Sequence, residues 1–489
     1  MLSLLLIIPI IGALSIVPIE ENMAKPQSIS NMKKVALGAS LLNFVVSIVL
    51  WAEFDSSTTE YQFTQEFLAQ QVTFCHINIG IDGISLYFVL LTTFIIPVCI
   101  LSNWDNITYS IKYFLMSFLI LETLLIAVFV VLDILLFYIF FESVLIPLFL
   151  IIGIWGGSSR RVRAAYLLFL YTLFGSLFML LSFLVIYYNT GTTDFNIVSL
   201  SEISFESQKL LWLGIFLSIA IKTPLLPFNT WLTYAHSEAP VGGSIVLAGV
   251  ILKLATFGYI RILLQFFPDA SYYFSPLVQT IAVVTIIYAS LVTLRQTDFK
   301  KLVAYSSVAH AATMVLGLFS NTIQGIEGAI MLGIAHGVVS PALFFLVGGV
   351  LYDRYHTRTI RYYRGITAYI PLFSMFFFVF SIFNAAVPLS ANWIGEFIAL
   401  TGVFSQNIII GLLASSGIVL SAGYSIWLYN RISFGASSKY LKYTTDVNRR
   451  EFMVLLPLII IAIIFGIFPN IVLDTLHASV STLIYTNSI

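Results

Sequence analysis

Eight ionisable side chains stand inside apolar runs of this 489-residue chain: Glu122, Glu142, Lys222, Lys253, Arg261, His310, His336 and Glu396. A charge at the bilayer centre costs at least ~2.5–3.5 kcal/mol, so several at similar depth call for a purpose. Lysine, glutamate and histidine can exchange protons once burial and partners bring their affinities toward neutrality, whereas arginine keeps its proton. The set reads as a proton relay with Arg261 outside it. Each member also has a plainer reading: a snorkelling stem for Lys222, a structural ion pair for Lys253 and Glu142, satisfied core rings for His310 and His336. Glu122 lies near a span middle without an obvious partner, and Asp133, at a span boundary, reads as a helix cap.

These readings require membrane-spanning elements. Apolar residues make up 59% of the chain and charged residues 9%, with 23 basic against 23 acidic side chains. A soluble domain carries about 25% charge, so soluble enzymes, nucleic-acid binders and disordered chains are excluded. Runs of ~20 apolar residues place fourteen spans at about 1–18, 35–53, 84–104, 112–131, 134–155, 164–188, 209–232, 241–266, 275–294, 302–320, 325–351, 369–402, 407–430 and 452–473. The fold class is therefore an all-α polytopic membrane protein. The first run lacks a basic leader and reads as a span rather than a signal peptide. Cys75 and Cys99 give no disulfide framework, and Cys99 reads as a packed small hydrophobe.

Charge supports the count. The loops after spans 1, 3, 5, 9, 11 and 13 hold nineteen of the 23 basic residues, from Lys25, Lys33 and Lys34 to Lys439, Lys442, Arg449 and Arg450. The opposite loops hold Asp55, Glu60, Asp194, Glu202 and Asp269 with Lys209 the one basic residue. The positive-inside rule puts the basic loops in the cytoplasm or matrix and both termini on the other side. At ~1.5 Å rise per residue, His310, Glu142, Lys253 and His336 lie ~12–18 Å into a ~30 Å core. Glu142 and Lys222 would make a natural switching pair.

Two spans carry mid-run prolines: IAIKTPLLPFNTWL, with Pro224 and Pro227, and FNAAVPLSANWIGEF, with Pro388. Proline lacks the N–H a helix needs and must interrupt it. Broken helices in corresponding places point to a transport site built from inverted repeats. Spans 7 and 12 stand five apart, an odd number, so spans 4–8 and 9–13 read as inverted five-helix repeats. The organisation expected is 1–110 for spans 1–3, 111–267 and 268–432 for the repeats, and 433–489 for span 14. Lys222 and Glu396 then stand as analogous elements of the two broken helices. His236 and Glu238, in the 7–8 connection at one face, form a possible proton entrance or a plain loop surface.

GIDGISLYFVLLTT, FYIFFESVLIPLFLIIGIWG, KTPLLPFNTWLTYAHSEAPVGGSIVLAGVILK, KLVAYSSVAHAATMVLG and LGIAHGVVSPALFFLVGGVLYDR closely resemble the antiporter-like, proton-pumping subunits of NADH:ubiquinone oxidoreductase, respiratory complex I. The likeness runs along nearly the whole chain. It implies fourteen core helices, inverted repeats and a hydrophilic axis through the membrane. Carried onto this sequence, it makes Glu142 the charge partner of Lys222, Lys253 the central lysine, His310 and His336 the links and Glu396 the terminal proton donor, with Glu122 and His236 as accessories. Glu396 in NWIGEF resembles the branch that has glutamate where its relatives have lysine, and the extra C-terminal helices of the larger branch are absent.

The resemblance further implies a proton-translocating subunit of NADH:ubiquinone reductase in the mitochondrial inner membrane, encoded inside the organelle, with its basic loops in the matrix and both termini in the intermembrane space. It implies neighbouring membrane-arm subunits, including antiporter-like subunits 2 and 5, and lipids as partners, and no nucleic acid. No redox cofactor or metal is expected on this chain; NADH, FMN, iron–sulfur clusters and ubiquinone are expected on other subunits. No GxGxxG before a helix, no CxxC and no haem-type histidine pair is present. Three competing readings are a subunit of a multi-subunit cation/proton antiporter, a non-transporting scaffold, and a redox enzyme in its own right.

Overall fold

The computed structural model describes residues 1–21, 26–67, 77–201, 203–441 and 444–485. Lys25, Cys75, Glu202 and Lys442 lie outside the described residues. Apolar runs bounded by polar loops become helices because a helix satisfies its own backbone in hydrocarbon. Among the described residues, eleven helices are long and apolar enough to cross a membrane, from Gln27–Glu53 to Arg449–Ile467. Leu2–Ile16 and two helices built in pieces complete the fourteen. Span 7 is Phe205–Lys222 followed by Thr230–Glu238, and span 12 is Pro371–Asn384 followed by Ala391–Gln406. Both breaks fall where the prolines predict.

The breaks do not place the two charges alike. Lys222 closes the first half of span 7, whereas Glu396 lies in the second half of span 12, and the residue that closes the first half there is Asn384. The expected analogy between Lys222 and Glu396 fails because the two charges stand on opposite sides of their interruptions. A third break escapes the sequence reading. Span 5 divides into Ile134–Ser143 and Leu145–Trp155, since Pro147 offers no N–H to the Ser143 carbonyl one turn earlier. Glu142 sits at this break.

Span 8, Val241–Leu264, widens into π-helical turns at Leu247–Ile251 and Tyr259–Leu264, and span 11 does so at Phe345–Leu351. Every residue in the most apolar stretch of each is buried, so they form the centre around which the other spans pack. Two elements lie outside the fourteen. A hairpin pairs Gln62–Phe67 with Ile77–Ile81, antiparallel. Beyond span 14, which ends at Ile467 and not near residue 473, a helix runs over Asn470–Tyr485.

The loops sort by face as their charges predict. Arg358 pairs with Glu238, Arg354 with Glu451 and Arg450 with Asp105, and Asp298 bridges to Thr359. On the opposite face Asn78 donates to Asp194 at 3.0 Å, and His477 meets Glu327 at 2.7 Å. A missed span would have placed some of these partners on opposite sides of the membrane.

Spans 11 and 12 approach closely through small residues. A Cβ added at Gly328 would stand 2.2 Å from the Ala399 backbone nitrogen, and one at Gly395 would stand 2.5 Å from that of Leu332. Membrane helices gain packing through such small-residue contacts, because lipid offers no hydrophobic drive between them. This contact sets Glu396, beside Gly395, at its depth against span 11. Gly328→Val should force the helices apart and reduce the amount of assembled protein severalfold on a native gel; wild-type levels would refute the packing argument.

Candidate functional site

Four of the predicted residues form one row. The Lys253 ammonium stands 2.8 Å from His336 Nδ1 and donates to the Ala248 carbonyl at 2.6 Å, inside the π-helical turn. The His336 ring lies 5.5 Å from the His310 ring, centroid to centroid. His310 Nδ1 stands 2.7 Å from Glu396 Oε1. In both rings Nδ1 is engaged and Nε2 is buried without a partner. All four side chains are buried. Spans 8, 10, 11 and 12 thus contribute one residue each to a line that holds an amine, two imidazoles and a carboxyl. Each can gain or lose a proton, and each adjoins the next.

Lys222 and Glu142 stand apart from this row. Lys222 is buried and donates to the Phe141 carbonyl at 2.7 Å, with its ammonium 3.2 Å from the centre of the Phe141 ring. The expected direct ion pair is not made: Lys222 takes the carbonyl next to Glu142, and Glu142 Oε1 is left without a partner. The reason is the span 5 break, which presents that carbonyl to the lysine. Each remains the charged group that acts on the other. Toward Lys253 lie aromatic rings, Phe141 on Phe137 at 5.4 Å and Phe137 on Phe257 at 6.4 Å.

Glu122 does not join the row. It is fully buried and accepts from Asn43 of span 2 at 2.7 Å, on a face of that span that also buries Ser40 and Ser47. Sequence reasoning missed Asn43 because amides in spans were not weighed; its seven-residue frame with Ser40 and Ser47 was the available signal. An amide in place of the carboxyl can keep this contact, so Glu122→Gln should leave proton pumping within about twofold of wild type, less than the ~0.5 kcal/mol that even a weak hydrogen bond contributes. A tenfold loss in dye-quench pumping assays would place Glu122 in the relay.

His236 is not on a loop surface. It lies in the Thr230–Glu238 helix, fully buried and stacked on Phe344 at 4.5 Å, and both ring nitrogens lack partners. Beside it Lys300 donates to the Ala239 carbonyl at 3.0 Å, and Glu238 meets Arg358 at 3.3 Å. Arg261 pairs with Asp82 at 2.7 Å and Tyr61 at 2.9 Å, a clamp between the span 8 end and the hairpin. Asp133 caps its helix by accepting from Leu136 N at 2.9 Å, and Cys99 is buried and free. Among the described residues no group of three or more His, Cys, Asp or Glu side chains could hold a metal.

A family model described as "NADH:quinone oxidoreductase/Mrp antiporter, TM" matches residues 131–421, a stretch that holds every member of the row. NADH-ubiquinone oxidoreductase chain 4 of Mycosarcoma maydis is 75% identical over 488 residues, covering 100% of both chains. The chain belongs to the NADH-ubiquinone oxidoreductase chain 4 family. The Arabidopsis thaliana member is 46% identical and covers 99% of this chain and 97% of its own. The branch indicated by Glu396 is thus the one these relatives carry by name. A chain in the structure of respiratory complex I from Thermus thermophilus with bound NADH superposes with a TM-score of 0.88 at 26% identity, over 99% of this chain and 100% of that one. A chain of the Mrp complex from Dietzia sp. DQ12-45-1b shares the fold at a TM-score of 0.84 and 17% identity, over 100% and 98%. The likeness to the chain 4 relatives is one of sequence along the whole chain, and the likeness to the Mrp chain covers the fold.

Proposed function

We propose that this chain is a proton-translocating membrane-arm subunit of NADH:ubiquinone oxidoreductase, and that Lys253, His336, His310 and Glu396 carry protons through it. The observation that carries the reading is the row Lys253–His336–His310–Glu396, hydrogen-bonded at both ends with the two rings 5.5 Å apart between them. A proton on Lys253 passes to His336 Nδ1 and displaces one from Nε2 toward His310, whose Nδ1 hands one to Glu396. The two unpartnered Nε2 atoms are where a bridging water closes the 5.5 Å ring spacing. His236, on which the charges of both Lys300 and Lys253 act, serves as the entrance. Lys222 and Glu142 act as the control pair, whose separation changes the field on the row. The stretches 111–267 and 268–432 are its two functional halves.

Other subunits of the complex are its partners, with antiporter-like subunits 2 and 5 on either side and lipid around the rest. Its place is the mitochondrial inner membrane, with the basic face in the matrix and the termini toward the intermembrane space. NADH, FMN, iron–sulfur clusters and ubiquinone belong to those other subunits, and this chain supplies proton transfer alone. An ion-gradient antiporter is the weaker alternative, since the Mrp likeness rests on fold at 17% identity.

Glu142→Gln and Lys222→Met, made in the assembled complex, test the control pair. Each should cut protons moved per NADH oxidised at least fivefold while the complex still assembles, about the effect of 1 kcal/mol on a barrier. Normal pumping in either variant refutes the pair.

A further inference from the structure

A small cavity borders Glu396 where spans 9, 10, 12 and 13 meet. Its polar lining is Ser290, His310, Thr313, Glu396, Ser421 and Tyr424, and it offers about 10 Å³ to the centre of a water molecule, about the least that holds one. Two of these groups have nothing to bond. The Tyr424 hydroxyl and Ser290 Oγ are buried, 0% and 1% exposed, and neither has a hydrogen-bond partner. The Asn384 amide stands beside Tyr424 but does not meet hydrogen-bond geometry. The remaining hydroxyls are engaged on their own helices, Thr313 on the Ala309 carbonyl and Ser421 on that of Ile418. Buried hydroxyls are almost always satisfied, by protein or by water. Two unsatisfied ones opening on the same water-sized space beside a carboxyl mark a built site.

We propose that Tyr424 and Ser290 hold one water molecule against Glu396 and so act as positioning residues for the uptake and release of its proton. The inference rests on the reading of Glu396 as the terminal carrier. Glu396 Oε1 faces His310. When the proton is on the histidine, the carboxylate needs a donor besides the imidazolium; when the proton is on Glu396, its O–H needs an acceptor. Water and hydroxyls each donate and accept at a single oxygen and can turn, whereas an ammonium only donates. The cavity therefore serves both protonation states with the heavy atoms in place. Its wall is closed by contact between spans 9 and 13, where a Cβ on Gly417 would stand 2.5 Å from Ile286 Cγ2.

The test uses the assembled complex in sealed membranes with Tyr424→Phe, Ser290→Ala and Glu396→Gln. Three readouts are taken: protons per NADH, the pH dependence of pumping, and the infrared carboxyl band that Glu396→Gln removes. Tyr424→Phe and Ser290→Ala should each lower pumping about two- to tenfold, the loss that one hydrogen bond carries. Each should also shift the pH profile and move the Glu396 band, and a map that resolves waters should show one in this cavity in wild type and none in Tyr424→Phe. If Glu396→Gln stops pumping but both hydroxyl variants keep the wild-type rate, pH profile and band, this inference falls and the terminal-carrier reading survives. If Glu396→Gln itself pumps normally, the terminal-carrier reading fails and takes the inference with it. Should Tyr424→Phe fail to assemble, Ser290→Ala decides alone.

Discussion

Lys253→Met should stop proton pumping while leaving the complex assembled. Methionine matches the stem of lysine in length and packs in the same apolar surroundings, so the fold keeps its shape. What disappears is the one group that touches both the span 8 turn and His336. Without it a proton has no titratable stop before the histidines. A residual rate below about one tenth requires a barrier only ~1.4 kcal/mol higher, far less than the cost of carrying an unaccompanied proton across that gap. Lys253→Arg separates charge from titration. Arginine restores the positive charge but does not release its proton, so it should fail nearly as badly. Protons per NADH in sealed vesicles is the measurement, and full pumping by Lys253→Arg would show that a fixed charge suffices and that the row is no relay.

The second large effect is on stability. Arg261 and Asp82 are a buried pair, with side chains 6% and 7% exposed, and Tyr61 adds a bond to the guanidinium. Removing one partner of such a pair leaves an uncompensated charge in an apolar setting, at a cost of about 3–5 kcal/mol. Asp82→Asn is the discriminating change, because asparagine can still cap the helix at Ser85 as Asp82 does. The complex should then be missing from native gels. Replacing Arg261 with methionine in the same chain removes the stranded charge and should recover most of the assembly. Wild-type assembly with Asp82→Asn alone would show that the clamp contributes little.

Much of this protein is legible without coordinates. The span count follows from a one-dimensional quantity, apolar run length, which is fixed by the solvent rather than by packing. The breaks in spans 7 and 12 are equally local, because a proline removes its own N–H wherever it stands. The cap at Asp133 is local too. The break in span 5 was available from Pro147 and went unseen because the run around it is continuously apolar.

What the sequence does not contain is which buried charges meet. Side chains at matching depth on spans 8, 10, 11 and 12 could have faced lipid or each other, since rotation about a helix axis leaves hydropathy unchanged. The crossing of Gly328 against Ala399 and of Gly395 against Leu332 decides that rotation for Glu396. The widened turn around Ala248 does the same for Lys253. The same geometry diverts Lys222 to a carbonyl, gives Glu122 an amide partner off the row, buries His236 against Phe344, and leaves Tyr424 and Ser290 unpaired beside Glu396. Chain order determined which groups could carry a proton and how deep they lie, because composition and rise per residue are properties of a single helix. Only the packing of one helix on another decided which of them are neighbours, because contact depends on distances across the chain that no local pattern encodes.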